Sequence, residues 1–186
     1  PSLSIDSFVD SKGVRHAYVK IDRSKIDVDC DNFCYPDLQP SKNVPKDLLK
    51  DTQTKYKLKN GNYKPSRAKK HKSFIDKALA QGSTAADGEK PVVWLMGGGG
   101  AAGKGTVLKS MQAEGVIPEK GFVHIDPDKV KAKIGEYKTL SENYKDYRAA
   151  GVVHAESSDV AKALQVQAMD KKLNMIIDKT LGNEAK

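Results

Sequence analysis

Three observations predict an α/β fold built on a parallel sheet in this chain of 186 residues. The apolar run Val92-Val93-Trp94-Leu95-Met96 has the length and β-branching of a buried strand, and it enters a glycine-rich loop followed by helical periodicity. Two further short apolar runs, Phe122-Val123-His124-Ile125 and Leu173 to Ile177, are separated by helical segments. Strands alternating with helices in this way pair in parallel through crossover connections.

Each element has its own signal. Residues 4–9 and 14–21 alternate in strand fashion around Asp10-Ser11-Lys12-Gly13, which predicts a β-hairpin. Residues 22–44, rich in Asp, Asn, Pro and Ser, read as loop. A helix is expected over 45–57, opened by Pro45 and stopped by Asn60-Gly61. Another is expected over 65–81, with Phe74, Ile75 and Leu79 on its apolar face and Gly82-Ser83 at its end. From residue 91 the order is strand to 96, helix about 104–114, strand 122–125, helix to about 134, helices at roughly 141–150 and 157–171, and a strand from 173 to 177. The expected domain division is an N-terminal appendage over 1–60 and an α/β domain over 61–186.

Net charge is +8, so an anionic partner is plausible on composition. The sequence holds no run of 18 apolar residues and no signal-peptide pattern, and no membrane partner is expected. Cys30 and Cys34 are the only cysteines; C-x-x-x-C lacks the second ligand pair of a structural zinc site, and the two read as loop thiols. Eight Lys or Arg residues and no acid lie between Lys55 and Lys72. Without an aromatic stacking pattern beyond Tyr56 and Tyr63, this stretch reads as a solvated face, and specific nucleic-acid binding is not expected.

The chemistry is carried by PVVWLMGGGGAAGKGT, residues 91–106. Gly98 and Gly103-Lys104 satisfy the G-x-x-x-x-G-K spacing of a P-loop, in the strand–loop–helix context that the motif requires. Glycines such as Gly98, Gly99, Gly100, Gly103 and Gly105 let successive backbone N–H groups turn inward on a phosphate. The helix N-terminus adds partial positive charge, and Lys104 reaches the terminal phosphates. The residue after Lys104 is Gly105, so the hydroxyl available to a Mg²⁺ ion is that of Thr106, one step later.

Phosphoryl transfer also asks for a metal site and a base near the acceptor hydroxyl. Asp126 and Asp128 follow the second strand at its carboxyl end, where open parallel sheets bind ligands. Asp126, before Pro127, suits a helix N-cap and is also a candidate metal ligand. Asp128 is the candidate general base. Asp178 and Thr180, just beyond the third strand, are candidate substrate contacts, and Glu156 is a further one. Ser157 or Ser158 is expected to cap the helix that follows.

Together these motifs resemble the zeta toxin family of P-loop kinases. The resemblance covers about 63–183 and rests on Tyr63-x-x-x-Arg67-x-x-x-His71-x-x-x-Ile75, GGGGAAGKGT, His124-Ile125-Asp126-Pro127-Asp128-x-Val130-Lys131, His154-x-Glu156-Ser157-Ser158-Asp159-x-Ala161-Lys162 and Ile177-Asp178-x-Thr180-Leu181-Gly182-Asn183. It implies a nucleoside-kinase-like parallel αβα core. It also implies ATP and Mg²⁺ as cofactors and a small-molecule hydroxyl, such as one on UDP-N-acetylglucosamine, as acceptor. An antitoxin partner and a cytoplasmic location in a bacterial host are implied as well, or association with a virion in a phage-encoded member. By position, Lys104 binds phosphate, Asp128 is the base, and Asp178 and Thr180 contact substrate.

Family members continue past the third strand with further strands, a lid and phosphate-clamping arginines. Here the arginines are Arg15, Arg23, Arg67 and Arg148, all before that strand. The core is therefore expected to be incomplete at its C-terminus, and the isolated chain to bind nucleotide weakly and catalyse nothing. The other reading is a non-catalytic interaction protein that retains a P-loop core.

Overall fold

A computed structural model describes residues 3–9, 15–21, 41–98 and 103–179. The chain divides into two compact units, Pro1–Asp37 and Leu38–Lys186. In the first unit, β1 (Leu3–Val9) and β2 (Arg15–Ile21) form the expected antiparallel hairpin, with Leu3 opposite Ile21 and Val9 opposite Arg15. Cys30 and Cys34, with the loop around them, lie outside the described residues, as do Gly99, Gly100 and Thr180.

The second unit begins well before the boundary expected at residue 60, because the segment from residue 41 is fastened to the helices that follow. Ser41 N donates to Asp146 Oδ2 at 3.1 Å. Thr52 is fully buried and its hydroxyl donates to the Val152 carbonyl at 3.3 Å. The single helix expected over 45–57 is broken into a 3₁₀ turn, Lys46–Leu49, and α1, Thr52–Tyr56. Asp51 resets the helix: its carboxylate accepts from Thr54 N at 2.8 Å and from the Thr54 hydroxyl at 2.9 Å. A side chain that captures the backbone in this way starts a new helix rather than continuing the old one.

α2 (Pro65–Leu79) opens on Pro65 as the sequence indicates. Strand β3 (Val93–Gly97) leads to α3 (Lys104–Ala113), and β4 (Val123–Ile125) to α4 (Pro127–Lys131). The helix expected at 141–150 is instead α5 (Gly135–Lys138), a π turn over Thr139–Asn143, and α6 (Ala149–Val152). Lys145 adopts φ 50°, and Asp146 accepts from both Arg148 N and Arg148 Nε at 2.9 Å, so the backbone turns there. α7 (His154–Asp170) starts three residues earlier than the expected 157, which corrects the capping role given to Ser157 and Ser158. Ser157 is buried inside the first turn, donating to the His154 carbonyl at 2.8 Å.

β5 (Met175–Lys179) pairs in parallel with both β3 and β4, giving the order β3-β5-β4. Successive strand residues point to opposite faces. One face carries Val123, Ile125, Met175 and Ile177 into a core shared with Val130, Val160, Leu164 and Ala168. The register, His124 opposite Ile176 and Met96 opposite Asp178, puts Trp94, Met96, His124, Ile176 and Asp178 on the other.

Candidate functional site

The candidate site lies at the carboxyl edge of this sheet. β3 ends in Gly97, and Gly98 N donates to the Lys179 carbonyl at 3.2 Å, pinning the loop's first residue to the end of β5. Gly98 has φ 150° and Gly103 φ 76°, conformations that side chains disfavour. Nothing lies within 4 Å of a Cβ placed on Gly103, so its backbone angle is what calls for glycine. Gly103 is also the N-cap of α3. The first N–H groups of a helix lack partners within it, which suits them to an anion.

Lys104, the first residue of α3, reaches back to the end of β3 and β5. Its Nζ donates to the Gly98 carbonyl at 2.8 Å and stands 3.6 Å from Asp178 Oδ1. Thr106 lies exposed on the same first turn. Burial raises the Asp178 pKa; the Lys104 charge opposes this, while the charges of Asp126 and Asp128 add to it.

β4 delivers the other groups. Asp126 is the N-cap of α4 as the sequence suggests, accepting from Asp128 N at 2.8 Å. It also lies beside Asp178: one ligand atom from each of His124, Asp126 and Asp178 falls within 4.8 Å of the others. The Asp128 carboxylate is 82% exposed and accepts from Lys131 Nζ at 2.7 Å, so it is open to an incoming molecule. His124 Nδ1 lies 2.5 Å from Lys129 Nζ, and His124 Nε2 is buried without a hydrogen-bond partner. Burial, reinforced by the Lys129 charge and opposed by Asp126, lowers the His124 pKa and keeps the ring neutral.

The fold thus gathers Gly98, Gly103, Lys104, Asp126 and Asp178 at one edge, with Thr106 and Asp128 on the first turns of the adjoining helices. Glu156 is not part of this group. It is fully buried, paired with Arg67 and with His71 Nε2 at 2.6 Å, and its substrate role is corrected to an anchoring one. Arg67 also reaches Glu136 Oε2 at 3.0 Å and stacks 4.3 Å from the Tyr56 ring centroid. Asp159 gathers Gln53, Lys57 and Tyr63 at 2.7–2.9 Å. The basic stretch is therefore partly consumed within the fold. Lys55, Lys57, Arg67 and Lys72 all pair with carboxylates of the chain.

Sequence reasoning passed over His124 as a candidate ligand beside Asp126 and Asp178. The signal was available: Asp126 follows β4 in extended backbone, two residues after His124, so the two share a face.

The family description "Zeta toxin" matches residues 76–186. The chain is 38% identical over 99 residues to a calmodulin calcium-dependent NAD kinase of Arabidopsis thaliana, a match covering 50% of this chain and 18% of that protein. Among solved structures, AvrRxo1-ORF1:-ORF2 with ATP matches with a TM-score of 0.51 and 23% identity, over 73% of this chain and 48% of that one. A structure from the PezAT chromosomal toxin–antitoxin system of Streptococcus pneumoniae matches with a TM-score of 0.49 and 21% identity, over 64% and 48%. The chain therefore spans about half of the structural neighbours and under a fifth of the plant kinase. No described helix is long and apolar enough to cross a membrane.

Proposed function

We propose that this chain, which belongs to the zeta toxin family, is the nucleotide-binding part of a kinase that moves the γ-phosphoryl group of ATP to a small-molecule hydroxyl. One observation carries the reading: Lys104 is held between the Gly98 carbonyl and Asp178 at the sheet's carboxyl edge. An ammonium at that edge, beside the head of α3, is suited to neutralise terminal phosphates.

In this reading Gly98 to Gly103 and the head of α3 bind the phosphates, and Lys104 leaves its internal partners to neutralise them. Asp128 accepts the acceptor hydroxyl's proton as the new O–P bond forms. The bond from the γ-phosphorus to the β–γ bridging oxygen breaks, and ADP leaves with that oxygen. Asp178, with Thr180 beyond the described residues, positions the acceptor. Two carboxylates side by side suit a divalent cation, so Asp126 and Asp178, with the Thr106 hydroxyl as a further candidate ligand, would hold Mg²⁺. Bound there, the ion supplies charge neutralisation.

The acceptor is a sugar nucleotide such as UDP-N-acetylglucosamine in the toxin-like reading. The similarity to a plant NAD kinase supports a second, in which the hydroxyl belongs to a dinucleotide. In the toxin-like reading a protein antitoxin is the expected partner and the cytoplasm the expected location. Calorimetry with ATP and Mg²⁺ tests the core of the proposal: Lys104→Ala should remove most of the affinity. Equal affinity in parent and variant would overturn it. Phosphorus NMR with both acceptors then assigns the substrate.

A further inference from the structure

At the edge of the sheet, beside the P-loop, the chain offers a metal ion something besides oxygen. His124 lies on β4 and Asp126 just beyond it in extended backbone, Asp178 comes from the neighbouring strand, and one ligand atom from each falls within 4.8 Å of the other two. His124 Nε2 is buried with no hydrogen-bond partner, the one such side-chain atom among the described residues. Its other nitrogen already faces a cation, the Lys129 ammonium at 2.5 Å. Lys129 is exposed, so that ammonium can swing into water at little cost.

We propose that His124, Asp126 and Asp178 form a divalent-metal site in which the imidazole is a direct ligand, and which takes a transition-metal ion such as Mn²⁺ in preference to Mg²⁺. The proposal rests on reading this edge as the phosphoryl-transfer site, and it adds a ligand and an ion preference that the P-loop does not imply. The donor set is one nitrogen and two carboxylates. Mg²⁺ holds its waters tightly and favours an all-oxygen shell, whereas first-row transition ions accept an imidazole nitrogen more readily, Mn²⁺ least among them and serving here as the paramagnetic probe. A divalent ion also relieves the mutual repulsion of Asp126 and Asp178, which a lone lysine only partly offsets.

The state of the imidazole sets the competition. With Nδ1 accepting from Lys129, the ring proton sits on Nε2 as a buried donor without an acceptor. A metal taken at Nδ1 displaces the ammonium directly. One taken at Nε2 moves the ring proton to Nδ1, where the ammonium can no longer donate. Either way Lys129 leaves, and it acts as an internal competitor for the ion.

The test uses the whole chain without nucleotide, so that its outcome is separate from whether phosphoryl transfer occurs. Mn²⁺ and Mg²⁺ are titrated by calorimetry, and bound Mn²⁺ is examined by electron spin-echo envelope modulation. The expected results are one Mn²⁺ per chain, bound more tightly than Mg²⁺, with the nitrogen modulation of a ligated imidazole. His124→Asn should weaken Mn²⁺ about tenfold or more while changing Mg²⁺ less than twofold. Lys129→Met should strengthen Mn²⁺. Equal affinity for the two ions, or bound Mn²⁺ without nitrogen modulation in the unaltered protein, overturns the proposal. The spectroscopic readout needs no variant, so it stands even if His124→Asn fails to fold.

Discussion

Arg67 and Glu156 meet as a two-pronged ion pair, with Nη2 donating to Oε2 at 2.8 Å and Nε donating to Oε1 at 2.5 Å. The Glu156 side chain is fully buried and that of Arg67 only 7% exposed. The pair joins α2 to the first turn of α7, and Glu136 on α5 completes it from the other side. Removing the cation would strand a buried charge. Arg67→Ala is therefore expected to cost about 3–5 kcal/mol of stability, the range for breaking one half of a buried pair. Urea unfolding measures this, and a loss near zero would mean that Glu156 is protonated or rehydrated in the variant.

The same clasp makes the protein sensitive to acid. Burial alone would raise the Glu156 pKa, yet hydrogen bonds from His71 and Arg67 outweigh it and hold the group at about 2. Asp146 is also held at about 2, chiefly by Arg148 and against burial. Both values lie below the ordinary ones of 4.5 and 3.8, so folding releases protons that the unfolded chain would retain in acid. Their contribution is complete above the unfolded values and fades as pH falls from there towards about 2. Unfolding midpoints measured from pH 5 downward should drop across this window, and Asp146→Asn should flatten the drop.

The strands were the most readable part of the chain. β3, β4 and β5 fall within two residues of where apolar runs and glycine breaks put them; β3 is nonetheless not the buried strand that its apolar run predicts, since Val93 and Leu95 are half-exposed. The helices between Gly135 and Val152 were not readable. The turn there depends on a left-handed Lys145 and on Asp146 bonding to Arg148 and to distant Ser41, and no local pattern announces either. At the site, the P-loop spacing was explicit in sequence. Glu156 misled because an acid near functional-looking motifs reads as a ligand, whereas its partners Arg67 and His71 lie more than eighty positions away.

Asp126 and Asp128 should separate by function. Asp128→Asn keeps the shape of the side chain but removes its basicity, so ATP binding should persist while turnover falls by roughly 10²- to 10⁴-fold. Asp126→Asn removes a charge beside Asp178 and alters the α4 cap. It should weaken metal binding in addition to rate. Steady-state kinetics in a turnover-competent form, at varied metal concentration, distinguish the two. If only Asp126→Asn abolishes turnover at saturating metal, the roles are reversed.

Gly82 should tolerate no larger residue. A Cβ built there would lie 2.5 Å from Val123 Cγ2 and 3.3 Å from Leu173 Cβ. Val123 is fully buried on β4 and cannot move aside. Gly82→Ala is expected to destabilise the domain by about 1–3 kcal/mol through overpacking. Denaturation should detect this, whereas Gly88→Ser, at a site with open space but φ 83°, reports backbone strain alone.

The order of the sheet bears on how the chain acquires it during synthesis. β3 and β4 do not pair with each other; each pairs with β5, the last of the three to be made. After Gly97 emerges, about eighty more residues follow before β5 is complete at Lys179. At a ribosomal pace of about 5–20 residues per second, the P-loop strand waits several seconds or more for its hydrogen-bonding neighbour. Over that interval Val93 and Leu95, still half-exposed in the finished fold, belong to a nascent strand with no ladder. Amide protection in β3 and β4 must therefore appear together, when β5 arrives. Under the proposed function, nucleotide capture by the loop would correspondingly be a late event in the life of the chain, and chaperones that shield apolar strands have their opening before it.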